Sequence, residues 1–151
     1  MYLYIDGHRL VAKEDRSLRE LIAEAGLDSP SLKERPLVAK IAGEVFTLNY
    51  VPLRSKDIQA DRPSIRRAME ASGGEVRLLR YRDPAGKEAY IRTAQFVIFL
   101  ALRQLWPEAR AKMTCTLGDS VFFTVQGAKD LSTERLKERI GWLIRQDIPL
   151  V

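Results

Sequence analysis

Six arginines, Arg62, Arg66, Arg67, Arg77, Arg80 and Arg82, stand within a short span of the 151-residue chain, with Tyr81 among them. A guanidinium is planar, permanently charged and fork-shaped, which suits it to phosphate. Read as a strand, residues 76–82 put Arg80 and Arg82 on one face, and Arg77 with Tyr81 on the other. A helix over 64–72 packed beside that strand would complete a positive patch for nucleic-acid or nucleotide phosphates. The competing reading is a solvated face whose arginines pair with Glu70, Glu75 and Asp83. Both stay open on sequence alone.

Other chemistries find little material. The phosphate-binding loop needs Gly, four residues, then Gly-Lys and Ser or Thr. The one Gly-Lys pair is Gly86-Lys87, with Tyr81 where the first glycine belongs and Glu88 where the hydroxyl belongs. This segment is therefore not itself a P-loop kinase. His8 is the only histidine and falls in an expected hairpin turn, where a solvated side chain is the simpler reading. Cys115 is the only cysteine, so no internal disulfide or cysteine-based zinc cluster can form. Its place in an expected strand predicts a small buried apolar group. No Ser or Cys nucleophile can be matched to a base beyond the isolated His8. Asp57 and Asp61 lie in a polar loop and read as solvated. No catalytic residue and no metal site is expected.

Composition bounds the class. Hydrophobic residues make up 46% and charged residues 30%, as in globular domains, and the net charge is +5. That mild excess permits contact with phosphates without establishing it. The opening MYLYIDGHRLV has no basic start followed by a long apolar run, so no signal peptide is expected and the expected location is cytoplasmic. The most apolar stretch, Gln95 to Trp106, is far short of the roughly 20 residues needed to cross a bilayer. It predicts a helix buried on nearly all sides and no membrane association.

The elements that must position these residues follow from turn and cap chemistry. Tyr2 to Ile5 and Arg9 to Ala12 read as strands joined by Asp6-Gly7, a strong hairpin signal. Ser17 with Glu20 forms a capping box ahead of Leu18, Leu21, Ile22 and Ala25, and Gly26 ends that helix. Leu37 to Ala42 and Val45 to Leu48 form a second hairpin. A short helix from Ser64 stops at Gly73-Gly74, and Val76 to Arg82 is a further strand. Asp83 to Gly86 reads as a turn and Glu88 to Ile91 as a strand. Beyond the apolar helix come a hairpin around Leu117 to Ser120 and a last helix capped by Ser132 or Thr133. The last helix has Leu136, Ile140, Leu143 and Ile144 on one face. The class is α+β, a β-grasp order of elements followed by a small α/β sandwich.

Residues 1–83, through IDGHRL, SLRELIAEAGL, LVAKIAGEVFTLNYVPL and VRLLRYRD, resemble a TGS domain, the β-grasp module of threonyl-tRNA synthetases and some GTPases. The segment from Arg54 to Gly74 is longer than that module's usual link. Residues 84–151, through AGKEAYIRTAQFVIFLALRQLWPEA, TLGDSVFFTV and LSTERLKERIGWLIRQDIPLV, are similar to the second additional domain that follows TGS in threonyl-tRNA synthetase. That editing domain carries a His-x-x-x-His pair on its long helix. Alignment on ALRQLWP places Arg92 and Phe96 there, neither of which binds a metal or serves as a base in that way. The resemblance therefore implies a degenerate editing site, without editing activity.

The reading YIRTAQFVIFLALRQLWP fits still better the same pair of modules found ahead of the P-loop domain in bacterial uridine kinase-like proteins. That resemblance implies a non-catalytic, accessory or regulatory N-terminal region, partnered by RNA, tRNA, a nucleotide or its own kinase domain. ATP and magnesium would belong to the downstream domain, and this segment would need no cofactor. Two alternatives stand beside it, a free-standing tRNA-binding or editing-related protein and a protein-interaction module.

Overall fold

The computed structural model describes residues 2–53, 67, 70–118 and 120–148. The chain divides into two compact units, Met1–Tyr90 and Ile91–Val151. The fold is α+β.

The first unit is built on a mixed five-stranded sheet. Its strands are β1 (Tyr2–Ile5), β2 (His8–Val11), β3 (Val38–Ile41), β4 (Glu44–Thr47) and β5 (Glu75–Leu79). The spatial order is β2-β1-β5-β3-β4. Two local hairpins supply the outer pairs, Tyr4 opposite Arg9 and Lys40 opposite Val45. Their turns, Asp6-Gly7 and Ala42-Gly43, all have positive φ, the geometry that matches the twist of the strands. The central pair is nonlocal, with β5 parallel to β1 (Tyr4 beside Glu75) and antiparallel to β3 (Lys40 beside Arg77).

One face of this sheet is buried by helix α1 (Leu18–Glu24). Leu3, Ile5, Ala39, Ile41, Val76 and Leu78 meet Leu18, Leu21 and Ile22 there, and Leu10, Phe46 and Tyr50 close the margin. The alternation of exposed and buried residues along β1 is what a strand covered on one side produces. The capping box at Ser17 forms as expected. The Glu20 amide donates to the Ser17 hydroxyl, and the Glu20 carboxylate accepts from the Ser17 amide.

Helix α2 (Pro84–Leu105) corrects the expected turn and strand over 83–91. Asp83-Pro84 is a helix start, since proline suits the first helical position, where no amide partner is lost. The Lys87 amide donates to the Asp83 carbonyl at 2.9 Å. Gly86 is not a breaker but a contact residue, because a Cβ there would collide with the Arg80 carbonyl.

In the second unit, β6 (Arg110–Leu117) and β7 (Ser120–Gln126) form the expected hairpin. Helix α3 (Thr133–Arg145) is capped by Ser132, whose hydroxyl accepts from the Arg135 amide. Phe99 meets Phe123 edge-on at 6.2 Å, and Arg139 donates to the Gln104 carbonyl oxygen at 2.7 Å. Burial on nearly all sides of the apolar helix is not found. Only Ala101, Leu102 and, just past its end, Trp106 are buried, while Phe96 is 51% exposed. Leu143 is likewise the only buried member of the expected α3 face, with Ile144 exposed. Cys115 is exposed too, because a register shift between Met113 and Cys115 pairs it with Phe122 on the outer face.

Two predictions follow from these packing details. Gly74 has φ +79°, and a Cβ there would strike the Tyr2 carbonyl, whereas a Cβ on Gly43 (φ +90°) meets only open space. Gly43→Ala should therefore cost about 1 kcal/mol from backbone strain alone, and Gly74→Ala about 1–3 kcal/mol more. Equal losses in urea unfolding would contradict the close approach.

The second concerns Glu20. Its hydrogen bond from the Ser17 amide, aided by Arg16, lowers its carboxyl from 4.5 to about 2. A lowered folded pKa stabilises above the unfolded value and loses that effect as pH falls through the folded one. The melting-temperature gap between wild type and Glu20→Gln should thus be full at pH 6 and close between pH 4.5 and 2. A gap that persists at pH 2 would refute this assignment.

Candidate nucleic-acid interface

The sheet face opposite α1 is open except at one end, where Val38 and Leu79 are buried, and its side chains follow from the register. Tyr2, Tyr4, Arg9 and Val11 lie on β1 and β2, Glu75 and Arg77 on β5, and Lys40, Val45 and Thr47 on β3 and β4. All nine are exposed. Tyr2 and Tyr4 retain 50% and 42% exposure, unusual for large aromatic rings on central strands.

The Arg9 guanidinium lies 3.8 Å from the centroid of the Tyr2 ring. Its cross-strand partner is Tyr4, so this diagonal stack turns the cation toward Tyr2. No ring or cation contact covers Tyr4 among the described residues. Arg9, Lys40 and Arg77 give the face three cations against the single carboxylate of Glu75. Aromatic rings that stack bases, ringed by cations that meet phosphates, are the two ingredients of single-strand binding surfaces.

A cleft of about 570 Å³ opens beside Tyr4, lined by Asp6, Gly7, Ser72, Gly73, Glu75, Val76 and Arg77. Asp6 is already committed to structure. One of its oxygens accepts from the Leu78 amide at 2.9 Å, the other from Arg80 Nη1 at 3.0 Å. Glu75 is exposed and, among the described residues, holds no ion pair or hydrogen bond.

The arginines singled out from the sequence take different roles. Arg62 and Arg66 lie outside the described residues. Arg67 is exposed in a helical segment, and Arg82 is exposed in the turn after β5. Arg77 projects from the open face and only loosely approaches Asp83, at 3.6 Å with its side chain 68% exposed. Arg80 does not share a strand face with Arg82, because β5 ends at Leu79. It folds back instead, Nη1 to Asp6 and Nε to the Glu34 carbonyl at 3.0 Å, with 17% of its side chain exposed. Arg80 is thus a fastening rather than an offered cation.

Tyr2, Tyr4, Arg9 and Lys40 went unnoticed in the sequence. Their signal was present in Tyr-Leu-Tyr-Ile, where two aromatics alternate with two aliphatics. On a half-buried strand the aliphatics take the core and the aromatics must face outward.

In the second unit, Arg92 lies on α2 and Phe96 stands half-exposed one turn further on. Phe96 is therefore not core filling, unlike the expectation of a helix buried on nearly all sides. Among the described residues no three His, Cys, Asp or Glu side chains are grouped to hold a metal.

The Arg80 fastening makes a test of its own. Asp6→Ala and Arg80→Ala should each destabilise by about 1–3 kcal/mol, and the double variant by clearly less than their sum. Strict additivity in denaturant unfolding would show that the pair does not act as a unit. No protein-family model matches the sequence, and no curated protein matches it.

Proposed function

We propose that this chain is a non-catalytic accessory region that binds single-stranded RNA on the open face of a β-grasp sheet. The observation that carries the reading is the set Tyr2, Tyr4, Arg9, Lys40 and Arg77 on one solvent-facing sheet surface. The strand order with parallel central strands supports the β-grasp reading of TGS type. Stacking on an aromatic contributes about 1–3 kcal/mol per base, and each lysine or arginine at a phosphate releases a counterion. Arg67 and Arg82 add to the long-range attraction.

The reading includes the placement suggested by sequence resemblance, ahead of a uridine kinase-like catalytic domain that would bring ATP and magnesium. It assigns no hydrolytic editing step to this chain, since Arg92 and Phe96 supply neither a metal ligand nor a neutral base. A second reading, docking onto a protein such as that kinase domain, is favoured by the exposed apolar residues Phe122, Trp142, Ile144 and Ile148 in the second unit.

Fluorescence anisotropy with a labelled single-stranded RNA separates the two. The combined variant Arg9→Glu, Lys40→Glu and Arg77→Glu should weaken binding at least tenfold and flatten its salt dependence, with an unchanged circular dichroism spectrum. Affinity equal to wild type would overturn the RNA reading.

A further inference from the structure

We infer that the cleft beside Tyr4 reads a guanine base in the bound strand, with Glu75 as the reading group. This deepens the RNA-binding reading and rests on it.

Tyr4 is the ring left uncovered on the open face, because Arg9 is turned onto Tyr2. A base stacked on Tyr4 sits between the arginine-bearing β2 side and the β5 side. On the β5 side its in-register neighbour is Glu75, about 4.8 Å away in strand spacing. The same side opens into the cleft of about 570 Å³, ample for one base. The edge of a base stacked on Tyr4 therefore faces an acceptor.

An ionised carboxylate accepts hydrogen bonds and donates none. Asp6, the other carboxylate lining the cleft, has both oxygens occupied by the Leu78 amide and Arg80, which leaves Glu75 as the available acceptor. Guanine presents two adjacent parallel donors, N1–H and N2–H, which match the two oxygens of one carboxylate. Uracil presents one donor flanked by two carbonyls, which a carboxylate repels. Adenine and cytosine offer a single amino group beside an acceptor nitrogen. Arg77, two residues along β5 on the same face, is placed for the phosphate of the following nucleotide. Cations on both sides of Glu75 thus hold the strand while its carboxylate selects within it.

The test uses the full chain and three labelled uridine oligomers, one all-uridine, one with a central guanosine and one with a central inosine. Inosine keeps N1–H and lacks the N2 amine. Wild type should bind the guanosine oligomer about tenfold more tightly than the all-uridine one, with inosine between them. Glu75→Gln, at an exposed position, should abolish that order by weakening the guanosine oligomer about tenfold, while the all-uridine oligomer binds no more weakly than to wild type, because the charge that repels the uracil carbonyls is gone. Equal wild-type affinity for all three oligomers, or a guanosine preference that survives in Glu75→Gln, would overturn the inference and leave RNA binding standing. Failure of wild type to bind any of them would overturn both.

Discussion

The first unit depends on the meeting of β1 and β5, the one parallel pairing in its sheet. Each hairpin can form locally, but a two-stranded ribbon is marginal in water. Only when β5 enters between them does the sheet gain a continuous apolar face for α1. Three features fix that entry. Gly74 lets the chain pass the Tyr2 carbonyl, the Asp6 carboxylate accepts from the Leu78 amide, and Arg80 ties β5 back to both Asp6 and the Glu34 carbonyl. Arg80, one of the six arginines expected to offer a phosphate contact, is the one the fold uses up.

The same pairing creates the open face. Placing β5 beside β1 brings Glu75 and Arg77 next to Tyr4, and placing it beside β3 brings Arg77 next to Lys40. Residues far apart in sequence thereby form one surface of rings and cations. Stability and the proposed recognition share the strand. Its alternate residues Val76 and Leu78 are buried on one side, while Glu75 and Arg77 face solvent on the other.

Much of the scaffold was legible because its signals are local. Asp6-Gly7 fixed a hairpin, Ser17 with Glu20 fixed a helix start, and Leu117 to Ser120 marked the second-unit hairpin. The register of β5 was not legible, since nonlocal pairing leaves no mark in adjacent residues. Pro84 misled because proline marks both turns and first helical positions, and the choice rested on Gly86 packing against Arg80. Burial of the apolar helix was overestimated, since apolar content reports what needs cover rather than what is available to cover it. Of the arginines in the expected basic patch, Arg77 lies on the open face beside Lys40. Arg80 turned inward at the strand end, whereas Arg9 and Lys40 were too scattered along the chain to register.

On the proposed reading, RNA meets the face carrying Tyr2, Tyr4, Arg9 and Arg77. Ultraviolet crosslinking of a single-stranded RNA to the full chain, followed by peptide mapping, tests it directly. Crosslinks should concentrate at Tyr2 and Tyr4, with neighbouring adducts on the peptide containing Glu75 and Arg77. Crosslinks confined to residues 110–148, with Tyr2 and Tyr4 unmodified, would contradict it.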